Sequence, residues 1–180
     1  MVGLLLVSCS SEPTFEEVVQ PDESLTQTPK VAVPVELSDE AQATRAEILR
    51  FAKAGALRSL SRVAGRTEHF IASQAGDEPY LYWDLMRRTG SDPAVMLRTL
   101  FDEPPGIREV DGEIWFVWPD LAARAPDELI PEKLNFQERA RLKELVGDAG
   151  IARLRAGEGY PGKRTAISED GDWLYFVTGE

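Results

Sequence analysis

The chain has 180 residues and sets 20 Lys+Arg against 31 Asp+Glu, a formal net charge of −11. Such an excess of acid disfavours nucleic acid as a partner, because affinity for a phosphate backbone comes from Lys and Arg that displace counterions. A single cysteine leaves no internal disulfide, and no run approaches the roughly 20 apolar residues that span a bilayer.

The first nine residues, Met1-Val-Gly-Leu-Leu-Leu-Val-Ser-Cys9, place that one cysteine at the end of a short apolar run. Leu6-Val7-Ser8-Cys9 resembles the lipobox of bacterial lipoproteins. The resemblance implies a diacylglyceryl group on the Cys9 thiol, cleavage between Ser8 and Cys9, and acylation of the new amine. Residues 1–8 are then the remnant of a signal peptide, and the first partner is a membrane, reached through lipid on Cys9. Each buried methylene is worth roughly 0.8 kcal/mol, so two or three acyl chains hold durably where one does not. Ser10 replaces the Asp that favours inner-membrane retention in enterobacterial lipoproteins, which implies a periplasm-facing protein of the outer membrane. Signal peptides open on Lys or Arg and carry about 7–15 apolar residues, so the gene is expected to begin upstream of Met1.

Residues 9–37 read as a lipidated cysteine and a disordered acidic tether. Pro13, Pro21, Pro29 and Pro34 stand among six acids and one base over 10–37, a composition that buries too little surface to offset chain entropy. Val31–Val35 also suits a docked strand, which Pro34 would confine to an edge.

A single folded domain is expected over 38–180. Ser38 caps a helix whose first turn carries Asp39 and Glu40. Ile48, Leu49, Ala52, Ala56, Leu60 and Val63 line one face as far as Val63 or Ala64. Gly55 either kinks this helix or starts a second one. Arg45, Arg50, Lys53, Arg58 and Arg62 form a basic stripe opposite. His69–Ser73 reads as a short strand. His69 is the single histidine, and no cysteine or second histidine accompanies it as a metal ligand. A turn at Gly76-Asp77-Glu78-Pro79 leads into a helix, Tyr80–Arg88, dense in aromatics and Arg. Such residues compose either a core or a binding surface. Ser91 or Asp92 caps the next helix with Pro93 in its first turn, and Pro104-Pro105 ends it.

Asp111-Gly112, set between β-rich runs, marks a hairpin over 105–118. Trp115 and Val117 fall on one face of its second strand, and Ile114, Phe116 and Trp118 on the other, so both faces are expected to be covered. Residues 119–134 are broken by Pro119, Pro126 and Pro131. Asn135 or a neighbour then caps a helix that holds Phe136, Ala140, Leu142, Leu145 and Val146, and Gly147 and Gly150 bracket a turn before Ile151–Arg155. A second hairpin over 161–177 has Asp170-Gly171 at its tip. Both hairpins pair a Pro-Gly start with an Asp-Gly tip after a helix, either by duplication of a helix-hairpin unit or by recurrence of the same punctuation. The fold class is α+β, with N-terminal helices packed on a small antiparallel sheet built from two Asp-Gly hairpins.

No phosphate loop, His-Glu-x-x-His or nucleophile elbow is present, and no cofactor is implied. The candidate binding residues are Tyr80, Trp83, Arg87 and Arg88 of the aromatic helix, with Tyr160 and Arg164 around the Gly157–Gly162 loop. The leading functional reading is a lipid-anchored, non-enzymatic accessory or binding module of the cell envelope, with an envelope protein or a glycan as partner. An envelope hydrolase or sugar-binding enzyme with a carboxylate pair is the alternative. A winged helix that binds DNA is opposed by the acidity.

Overall fold

The computed structural model describes residues 34–73 and 76–179. Cys9, the lipobox and the tether up to Val33 lie outside the described residues. Ser38 caps α1 (Asp39–Lys53) as expected: its hydroxyl accepts from the Ala41 N–H at 3.1 Å and donates to the Glu169 carbonyl at 2.6 Å. At Gly55, whose φ is 63°, the second alternative is realised, and the chain restarts as α2 (Leu57–Ala64). Ahead of Ser38, Val35 and Leu37 already pack on the core. α3 (Pro79–Arg88) is capped by the Glu78 carboxylate, which accepts from the N–H groups of Tyr80 and Leu81 at 3.1 and 2.9 Å. The Asp92 carboxylate caps α4 (Pro93–Asp102).

β1 (Gly106–Val110) and β2 (Glu113–Trp118) meet through a two-residue turn with Asp111 at φ 54° and Gly112 at φ 87°. Positive φ at both positions matches the twist of the flanking strands, and Asp-Gly supplies it cheaply. Two 3-10 turns, Asp120–Ala123 and Pro131–Lys133, occupy the proline-broken stretch. α5 (Phe136–Arg155) starts with a reciprocal capping box between Asn135 and Glu138 and is interrupted at Gly147. Phe136, at its first position, is 83% exposed. It stands in the first turn, ahead of Leu142 and Leu154, which carry the buried stripe. β3 (Arg164–Ser168) and β4 (Trp173–Val177) complete one antiparallel sheet in the order β1-β2-β3-β4.

The strand expected over 69–73 is corrected to a single bridge. Phe70 closes a turn onto the Thr67 carbonyl, which leaves only Ile71 extended beside β4. Its N–H donates to the Leu174 carbonyl at 3.2 Å, and its carbonyl accepts from the Phe176 N–H at 3.0 Å.

The sheet is a wall between two cores. Phe116, Trp118, Ile167, Trp173 and Phe176 face α1–α4, where Trp83 and Trp173 stack at 5.7 Å. Val117 and Ala166 face the other way, onto Leu121, Leu129, Leu134 and α5. The alternation expected along β2 is thus realised, with both faces covered. One irregularity breaks it in β4: Ala166 pairs with Tyr175 but Ile167 pairs with Trp173, so Leu174 is bulged. Leu174 and Tyr175 therefore both turn to the second face, while Trp173 and Phe176 stay on the first.

Candidate functional site on the second face of the sheet

Beyond the patch that α5 covers, the second face carries Arg108 from β1, Trp115 from β2, Arg164 from β3, and Leu174, Tyr175 and Val177 from β4. Two adjoining cavities open there. The smaller, about 280 Å³, is lined by Arg108, Arg124, Arg153 and Arg164 with Glu158, Tyr160 and Tyr175. The larger, a cleft of about 1040 Å³, is lined by Ile71, Trp115, Leu174 and Val177 together with His69, Glu68 and Asp172. Arg108, Arg164 and Tyr175 line both.

The four arginines differ in how their charge is met. Arg124 is ion-paired with Glu138, and Arg153 with Glu158 at 2.6 Å. Arg164 donates to the carbonyls of Tyr160 and Gly162 at 3.0 and 3.2 Å, which aims the guanidinium without neutralising it. The Arg108 side chain makes no hydrogen bond or ion pair among the described residues. The bulge sets the Tyr175 phenol at the junction, edge-on to Trp115 with ring centroids 6.3 Å apart. Burial pushes the Tyr175 phenol up, against the opposing pull of Arg164 and Arg108. Burial likewise raises the Tyr160 phenol, reinforced by Glu103 and Asp120. Those two carboxylates are held by Arg141 at 2.6 and 2.8 Å.

Of the six binding residues expected from the sequence, only Tyr160 and Arg164 line these cavities. Tyr160 is 7% exposed, and its ring lies over Gly162 so closely that a Cβ there would meet the phenol oxygen at 2.7 Å. Close approach is thus the use of that glycine. Trp83 is fully buried in the first core, with its indole N–H unpartnered among the described residues. Arg87 and Arg88 both bind Asp84, at 2.8 and 2.5 Å. Tyr80 lies under the Arg58 guanidinium at 4.4 Å. The arginines and Tyr80 of the aromatic helix are therefore engaged within the protein. So is much of the basic stripe: Arg45 donates to the Phe101 carbonyl at 2.7 Å, and Arg50 covers Phe51 at 4.5 Å.

Arg108, Trp115 and Tyr175 were missed as site residues because they lie in three different strands and meet only through the register. A signal was present in Arg108, a lone cation in a β-rich run of an acidic region. His69 is exposed, and among the described residues no group of three or more His, Cys, Asp or Glu is arranged to hold a metal ion. No helix among them is long and apolar enough to cross a membrane. Comparison of the chain with family models, with curated proteins and with solved structures found no match.

Proposed function

We propose that the chain is a lipid-anchored, periplasm-facing protein of the bacterial outer membrane whose folded body is a binding module. On this reading the second face of the sheet is its contact surface. The anchor reading rests on Leu6-Val7-Ser8-Cys9, followed by an acidic, proline-rich stretch and Ser10. The binding reading rests on one observation: among the described residues the Arg108 side chain has no partner and Arg164 only carbonyl partners, and both line one concave site, in a chain of net charge −11. Guanidinium forks that match two oxygens of one acceptor favour carboxylates and phosphates, groups that envelope proteins and glycans both carry.

Two measurements test the two halves. Metabolic labelling with a fatty-acid analogue is expected to mark the wild type and spare Cys9→Ser; equal labelling removes the anchor. Inorganic phosphate or citrate is expected to raise the thermal midpoint of the wild type, the stabilisation growing with the logarithm of its concentration above the Kd, and that of Arg108→Gln much less. Identical responses remove the site.

A further inference from the structure

We infer that the sheet face binds a single-chain amphiphilic anion, with its carboxylate or phosphate head between Arg108 and Arg164 and its apolar chain in the larger cleft. The inference rests on the binding-module reading above and adds the chemistry of the ligand.

The two cavities are contiguous yet differ in kind. Three residues, Arg108, Arg164 and Tyr175, line both. On one side of that junction the lining is dominated by guanidinium groups, with Glu158, already paired, as its one carboxylate among the described residues. On the other side Ile71, Trp115, Leu174 and Val177 make the lining mainly aliphatic and aromatic, with Glu68, His69 and Asp172 also on it. A free inorganic anion would use the first side and leave the second wet. The cleft of about 1040 Å³ is at the upper end of the ~300–1,000 Å³ that small-molecule sites span, far more than a phosphate fills. Ile71 remains 49% exposed, apolar surface that a bound chain would cover. The β4 bulge produces this combination, since it turns Leu174 and Tyr175 to the same face. Charge and shape together select a ligand with one anionic end and one apolar body.

Calorimetric titration of the full chain with acetate, hexanoate, octanoate and decanoate, each below its micelle concentration, tests this. Each methylene is expected to tighten binding about threefold to fourfold until the cleft is filled, at one ligand per chain. 1-Octanol is expected to bind at least about tenfold more weakly than octanoate. Arg108→Gln is expected to weaken decanoate by about tenfold or more. Leu174→Asn is expected to weaken decanoate while leaving acetate unchanged, and Arg98→Gln on α4 to change nothing. Octyl phosphate in place of octanoate identifies the preferred head. Arg108-dependent binding of acetate or phosphate with no gain from chain length would overturn the amphiphile and preserve the anion site. Failure of every anion to bind would overturn both. Octanol equal to octanoate, or retention by phosphatidylglycerol vesicles without decanoate binding, would also overturn the inference.

Discussion

Thr165 is fully buried in β3, where its hydroxyl donates to the Tyr175 carbonyl at 2.7 Å and accepts from the Trp173 indole N–H at 2.8 Å. Thr165→Val keeps the shape and orphans the indole, so a loss of about 1–3 kcal/mol is expected in urea unfolding. Trp173→Phe in the Thr165→Val background should then cost less than in the wild type, since the donor is already unpaired. Two of the four tyrosines, Tyr160 and Tyr175, have phenols raised above their ordinary value of 10.0. The unfolded chain therefore releases these protons first, so the stability they contribute is complete below pH 10 and is lost as pH rises beyond it. Absorbance titration at the phenolate band should show two tyrosines ionising late, together with the onset of alkaline unfolding. At this scale the sequence singled out Tyr160 and Arg164, which line the cavities, and also Trp83, which is buried, Tyr80, which lies under Arg58, and Arg87 and Arg88, which bind Asp84. An aromatic beside arginines has the same composition whether its charges meet a ligand or, as here, an Asp84 one turn away.

The best-read elements are those whose ends are set by local chemistry. Ser38, Asp92 and Asn135 all cap the helices expected of them, and both Asp-Gly pairs sit at hairpin tips. Asn135→Ala should cost about 1 kcal/mol, read from the urea midpoint. It also removes one half of a box whose other half is Glu138. Burial acts to raise the Glu138 carboxyl, but hydrogen bonds from Arg124 and the Asn135 N–H outweigh it and hold the group below its ordinary value of 4.5. The Arg66 hydrogen bond lowers Glu47 in the same sense. A lowered folded value means the unfolded chain takes up protons first. The stability these groups contribute is therefore present above pH 4.5 and lost as pH falls through the folded values. The urea midpoint should fall on acidification below pH 4.5, and less steeply in Arg124→Gln. Elements defined by partners were harder to read. The strand at 69–73 shrank to Ile71 because only one residue reaches β4, and the bulge at Leu174 leaves no mark in a run that is apolar throughout.

For the molecule as a whole, the α+β class was readable from helix periodicity and paired turn signals. The joining of the hairpins through β2 and β3, and hence the site, depends on contacts between residues some fifty positions apart. One sheet serves both cores, so damage on one side is expected to reach the other. Leu142→Ala, in the second core, should cost about 2–5 kcal/mol. Circular dichroism and tryptophan fluorescence should still report one shared transition; two separate midpoints would mean the cores unfold independently. The end of the sheet at β1 has a further consequence. Ile71 bridges the free side of β4, whereas β1 is the terminal strand, with Ile107 54% exposed between Gly106 and Arg108. An unpaired strand edge invites a second chain to add to it, and charged side chains on it discourage that. Arg108 and Glu109 are charged residues of this kind, so replacing Arg108 with a neutral residue is expected to lower the barrier to edge-to-edge self-association.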